Sequence, residues 1–232
     1  AVAVKLPNLF GWTWGVDDVF YARNLSFFVL PFLTGYFVWK RQLGTRASTV
    51  RWLALAFVAA VVLANLYPFP SEQSHTLMLA VIHLPIALWL AVGVAYAGGR
   101  WGQVSGRMDF IRFSGELFIY FVLIALGGGL LTGFVMMMFT TIGVDAEWFV
   151  ESWLVPCGAA GAVIVASWLV EAKQSVIENM APVLTRLFTP LFTAVLVTFL
   201  ATLLFTGRAV NVEREMLMAF NGLLVIVLAL LL

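Results

Sequence analysis

The stretch from Phe113 to Ile142 constrains the fold of this chain more than any other feature. It reads FSGELFIYFVLIALGGGLLTGFVMMMFTTI, and Glu116 is its only ionisable side chain apart from a tyrosine. As an unbroken helix it would be about 45 Å long, whereas the hydrocarbon layer of a bilayer is roughly 30 Å thick. We therefore predict a membrane-crossing helix that is tilted, extends beyond the hydrocarbon, or breaks near its glycines.

The composition of the whole chain also indicates that the chain lies in a lipid bilayer. Hydrophobic residues make up 62% and charged residues 11%, whereas soluble domains contain about 45–50% apolar and about 25% charged residues. The formal net charge of +1 excludes a nucleic-acid-binding protein that relies on bulk electrostatics. Cys157 is the single cysteine, which excludes an internal disulfide and a cysteine metal cluster.

Seven apolar runs predict an all-α, polytopic bundle of about seven transmembrane helices. The runs are Arg23–Trp39, Trp52–Tyr67, His75–Ala97, Phe113–Ile142, Phe149–Val170, Leu184–Phe205 and Met216–Leu232. The first two are short for a helix that needs about 20 residues to cross the hydrocarbon. Pro31 and Pro85 lie inside runs, where we expect each to kink a helix, because neighbouring helices satisfy the freed carbonyl groups.

The residues before the first run have a different composition. Residues 1–22 combine charged residues with aromatic ones such as Trp12, Trp14 and Phe20. Because amphipathic rings collect at the level of the lipid headgroups, we predict an interfacial segment here. Residues 23–232 form the predicted transmembrane domain. The apolar C-terminal run has no polar flank, so we expect the chain to be a fragment of a longer one.

The distribution of lysine and arginine predicts the orientation. One side of the predicted bundle carries Lys40, Arg41, Arg46, Arg51, Arg100, Arg107, Arg112, Lys173 and Arg186. The other side carries Lys5, Arg23, Arg208 and Arg214. Basic loops stay in the cytoplasm. This predicts that the N-terminus is outside and the C-terminus is inside.

A polar layer is predicted near the middle of the bilayer. His83 lies about 12 Å along its helix, and an ionisable side chain at such a depth is a functional candidate. Helical rise places Gly127, Gly128, Gly129 and Asn221 at a comparable depth. For His83 the alternatives are a relay or binding role and a neutral side chain bonded to a neighbouring helix. For the glycines they are helix–helix packing and a broken helix that lines a cavity.

A second polar cluster is predicted at the cytoplasmic edge. Arg112 and Glu116 are four residues apart and therefore share a helix face. Glu171, Glu178 and Asn179 are expected at the same edge, where the cluster either is solvated or forms an inner gate. The consecutive residues 136–138 are methionines, but they point around the helix, so packing explains them better than copper binding. No metal site and no cofactor is assigned from the sequence.

Part of the sequence resembles a known family. The order RFSGELFIYFVLIALGGGLLTG, then an acidic loop, then WLVEAKQSVIENMAPVLTRLFTPL, then REMLMAFNGLLVIVLALLL extends over the region from Ile82 to Leu232. It is similar to a bacterial multi-pass membrane family catalogued as domain of unknown function 4153. The resemblance implies a bacterial inner-membrane protein and supplies no catalytic residues.

Three functional hypotheses follow. The first is a permease-like transporter of a small solute or ion, with the layer around His83 as its binding site. The second is a structural or assembly subunit of a larger membrane complex or homo-oligomer. The third is a membrane-embedded enzyme acting on lipid-linked substrates. The sequence contains no Walker loop, GxSxG, HExxH or CxxC motif, so we do not expect a soluble-type active site.

Overall fold

A computed structural model describes most of the chain. It covers residues 2–45, 47–67, 74–172 and 180–206, together with positions 214, 217, 218, 221, 222, 224, 225 and 228. All regular secondary structure in the described residues is helical. The all-α prediction is confirmed. Among the described residues, five helices are long and apolar enough to cross a membrane: Ala47–Leu66, His75–Tyr96, Val104–Thr141, Glu147–Ala172 and Thr185–Phe205. The chain is thus an integral membrane protein by the length and composition of its helices.

The elements follow one another with short connections. The α-helices are α1 (Asp18–Asn24), α2 (Leu30–Lys40), α3 (Ala47–Leu66), α4 (His75–Tyr96), α5 (Val104–Thr141), α6 (Glu147–Phe149), α7 (Val155–Ala172) and α8 (Met180–Thr206). Turns of 3₁₀-helix cover Val2–Phe10, Leu25–Phe28 and Leu43–Thr45, and a π-helical segment, Val150–Leu154, joins α6 to α7.

The first predicted run differs from the expectation. The run from Arg23 to Trp39 is divided between α1, a 3₁₀ turn and α2. Pro31 lies in the first turn of α2, so this proline begins a helix and does not kink one. A helix tolerates proline there because the missing N–H has no intrahelical acceptor. Pro85, in contrast, lies inside α4. The run from Met216 to Leu232 falls mostly outside the described residues, so the total of seven spans stays a prediction.

The helices belong to two compact units. Unit 1 is Ala1–Phe118 with Val163–Val165, and unit 2 is Ile119–Ala162 with Ala166–Leu232. Helices α1 to α4 and the first part of α5 lie in unit 1. The rest of α5, α6, most of α7 and all of α8 lie in unit 2.

The core of unit 1 is a cluster of aromatic rings from three helices. Phe37 of α2 packs edge-on against Tyr96 of α4 at 5.1 Å and against Phe113 of α5 at 5.3 Å between ring centroids. Tyr96 stacks on Phe113 at 4.5 Å. Phe37 and Phe113 are fully buried. Such pairs contribute about 0.5–1.5 kcal/mol each beyond the area they bury, so this cluster joins the ends of α2 and α4 to α5.

Close contact between α4 and α5 depends on a glycine. Gly93 of α4 is buried, and a Cβ atom placed on it would lie 2.7 Å from the ring of Phe110 and 2.9 Å from that of Trp101. One helical turn away on α4, the indole N–H of Trp89 donates to the hydroxyl of Ser114 at 3.1 Å. Small residues let helix backbones approach, and Gly93 performs that role here.

A pair of side-chain amides joins the C-terminal end of α3 to the C-terminal end of α1. The side-chain amides of Asn24 and Asn65 each donate to the oxygen of the other at 2.9 Å. Nearby, the Tyr21 hydroxyl donates to the Asn8 side chain at 2.9 Å. Burial raises the pKa of the Tyr21 phenol above its ordinary value, and the Asp17 carboxylate adds to this effect. Polar groups therefore hold the N-terminal segment at this end of unit 1.

Candidate functional site

His83 lies inside α4 and is exposed on its surface. Its Nδ1 atom is 2.8 Å from the carbonyl oxygen of Leu79, one turn earlier on the same helix. A carbonyl oxygen only accepts, so Nδ1 is the donor in this hydrogen bond. The bond that the structure gives His83 is therefore to its own helix. The prediction of a bond to a neighbouring helix is not what is observed.

The glycine run does not break α5, which is helical without interruption from Val104 to Thr141. The predicted alternative of a broken helix is thus wrong, and packing explains one of the glycines directly. A Cβ atom on Gly127 would lie 2.5 Å from the Phe188 ring of α8. In the described part of the chain, nothing lies within 4 Å of such an atom on Gly128, Gly129 or Gly133.

We expect Gly127→Ala to destabilise the contact between α5 and α8. The added methyl group overlaps the Phe188 ring, and overpacking of this kind costs about 1–3 kcal/mol. Unfolding in detergent micelles measures the loss. Truncating the ring in Gly127→Ala/Phe188→Ala should recover part of it, because the two changes are coupled through one contact. Equal losses for Gly127→Ala and Gly128→Ala would contradict the packing assignment.

Asn221 is exposed and belongs to the sparsely described C-terminal region of unit 2. The glycines also belong to unit 2, whereas His83 belongs to unit 1. The predicted mid-membrane layer of His83, the glycines and Asn221 stays a prediction.

The predicted edge cluster stays a prediction, although two of its residues form an ion pair on α5. The Nε atom of Arg112 lies 3.9 Å from Oε1 of Glu116, as expected for residues that share a helix face. The arginine side chain is 82% exposed, so an ion pair of this kind contributes at most about 1 kcal/mol. Glu171 lies in the last turn of α7. Glu178 and Asn179 lie outside the described residues.

In the part of the chain that is described, no group of three or more histidine, cysteine, aspartate or glutamate side chains is placed to hold an ion. Met138 is buried, which agrees with packing.

Sequence reasoning missed the side chains that organise the basic end of unit 1. The guanidinium of Arg41, just after α2, lies 4.7 Å from the ring centroid of Tyr96 at the end of α4. The stem of Arg41 passes over Gly98, whose φ is +61°. A signal was available, because both chain connections carry arginine and have an aromatic residue in or beside them. Only the fold shows that they meet.

Comparison with protein-family models, curated proteins and solved structures finds no match to this chain. The resemblance to domain of unknown function 4153 therefore stays a prediction.

Proposed function

We propose that this chain is a membrane-embedded assembly subunit that packs against a second membrane helix through one face of α5. This small-residue face consists of Ala125, Gly129 and Gly133, which are spaced four residues apart and are all exposed. A Cβ atom on either glycine would meet no described residue within 4 Å. The exposure of this face is the observation that carries the proposal.

The opposite face of α5 shows how such a surface is used. There, Gly127 receives the ring of Phe188 from α8, and Phe134 packs against Phe192 at 5.6 Å. At 100° per residue, Gly129 lies about 200° around the helix from Gly127. One side of α5 is therefore covered by α8, and the side with three small residues is exposed among the residues that the structure describes.

In a bilayer, a face of small residues favours association with another helix. Lipid tails are as apolar as leucine side chains, so helix association in membranes depends on close van der Waals packing, which small residues at four-residue spacing permit. The occupant is a transmembrane helix of another copy of this chain or of a partner subunit. On the resemblance to the bacterial family, we assign this assembly to the bacterial inner membrane.

Substitution of the face tests the proposal. We expect Gly129→Leu and Gly133→Leu to reduce the full chain to monomers in native mass spectrometry from detergent and in single-molecule photobleaching in bilayers. Leucine side chains at these positions hold the second backbone away from α5. The control is Gly115→Leu on the same helix, about four turns before Gly129, where a Cβ atom also meets no described residue within 4 Å.

Two outcomes would contradict the proposal. One is a monomeric parent chain that co-purifies with no stoichiometric membrane partner. The other is a protein-dependent solute flux in proteoliposomes that His83→Ala abolishes while the helical content stays intact, since this result would assign the chain to transport. Assembly predicts that His83→Ala leaves the oligomer unchanged.

A further inference from the structure

The two basic connections of unit 1 form one surface, which we call the basic end. The contact between Arg41 and Tyr96 holds the connection after α2 beside the connection after α4. The rings of Phe37 and Phe113 extend the same junction to α5. Residues that are separated in the sequence thus share one end of the unit.

Positive charge dominates the described side chains of this end. The cations are Lys40, Arg41, Arg51, Arg100, Arg107 and Arg112, and the carboxylates are Asp109 and Glu116. Each carboxylate is within 4 Å of one arginine: Asp109 of Arg100 at 3.4 Å, and Glu116 of Arg112 at 3.9 Å. The excess of cations over carboxylates remains after these pairs are counted.

Exposed tryptophans indicate where this end lies in a bilayer. Trp39, in the last turn of α2, is 75% exposed, and Trp52, in the second turn of α3, is 73% exposed. Tryptophan collects at the level of the lipid headgroups. Lys40 and Arg51 adjoin these two residues and are exposed. Lipid phosphates therefore lie at the same depth as these cations.

We propose that the basic end is a binding surface for the headgroups of anionic phospholipids. Arginine binds phosphate oxygens through two parallel N–H donors, and lysine acts as a point charge. Clusters of four to eight basic residues beside a transmembrane helix recognise anionic lipids in this way. The location of the patch at the end of α3 selects a lipid over a soluble acidic partner.

Lipid selectivity in a bilayer tests this surface. The full chain is reconstituted in phosphatidylcholine with a trace of spin-labelled phosphatidylglycerol or spin-labelled phosphatidylcholine, and the motionally restricted fraction gives the relative association constant. We expect a preference for the anionic lipid that falls as salt rises, because salt screens exposed charges. Each of Lys40→Gln, Arg51→Gln and Arg112→Gln should lower it by up to about fivefold, and the triple variant should bring it close to one.

Control variants separate this surface from a general effect of charge. Arg112→Lys keeps the charge and should keep the preference, and Arg214→Gln removes the same charge from unit 2 and should leave it unchanged. An equal association of the two lipids with the parent chain would overturn the proposal. So would a loss in Arg214→Gln as large as that in Arg112→Gln. Inorganic phosphate that displaces the labelled lipid better than chloride at equal ionic strength would assign a soluble ligand instead.

Discussion

Phe113→Ala is expected to lower the free energy of unfolding by about 3–5 kcal/mol, the range for truncating a buried aromatic side chain. The Phe113 ring is 1% exposed. It contacts the rings of Tyr96 at 4.5 Å, Phe37 at 5.3 Å, and Trp89 and Phe110 at 6.3 Å. Removing it leaves a cavity between three helices. Unfolding in mixed micelles, followed by near-ultraviolet circular dichroism, measures the change.

Phe118→Ala is the matched control on the same helix. Phe118 is 65% exposed, and its surroundings in a membrane are lipid in both the folded and the separated state of the helices. Its truncation therefore removes little packing, and we expect a change below about 1 kcal/mol. Equal losses for Phe113→Ala and Phe118→Ala would show that the aromatic cluster does not hold unit 1 together.

Gly93→Ala is expected to destabilise unit 1 by about 1–3 kcal/mol through overpacking. The new methyl group would lie 2.7 Å and 2.8 Å from two ring carbons of Phe110 and 2.9 Å from the Trp101 ring. Phe110 is buried and contacts Trp89, Tyr96 and Phe113, so its ring has no space to move away. Thermal unfolding of the detergent-solubilised chain measures this loss.

Gly35→Ala is the control for Gly93→Ala, and we expect it to change the stability in the opposite direction. Gly35 lies in α2 and is exposed, and no described residue lies within 4 Å of a Cβ atom placed on it. Alanine restricts the unfolded chain more than glycine does, so this change should stabilise the helix by about 0.5–1 kcal/mol. Phe110→Leu replaces the ring by a smaller side chain and should recover part of the loss in Gly93→Ala. If both glycine-to-alanine changes had the same sign, close packing at Gly93 would be excluded.

The apolar pattern of α5 does not by itself predict whether the helix is continuous through its glycines. The run from Phe113 to Ile142 predicted a helix too long for the hydrocarbon, and α5 is longer still, beginning at Val104. Glycine has a low helix propensity in water, which made a break at Gly127 a reasonable alternative. Packing of the Phe188 ring against Gly127 favours a continuous helix at this position. This contact cannot be predicted from the pattern of apolar residues.

The first predicted span shows a similar limit. Hydropathy treats residues 23–39 as one run, yet α2 begins at Leu30. A proline suits the first turn of a helix and also occurs in kinked membrane helices. Pro31 alone therefore does not distinguish the start of a helix from a kink within one. The structure does, because a 3₁₀ turn, Leu25–Phe28, precedes α2.

The sequence by itself determined that the chain is helical and embedded in a membrane, because long apolar runs leave no other way to satisfy the backbone in hydrocarbon. It also identified the two arginine-rich connections of unit 1. The tertiary structure decided which side chains meet. The stacking of Tyr96 on Phe113, the contact of Arg41 with Tyr96 and the hydrogen bonds between Asn24 and Asn65 each join residues from different helices. Such contacts depend on helix rotation and crossing, which hydrophobic periodicity does not encode when nearly every face of a helix is apolar.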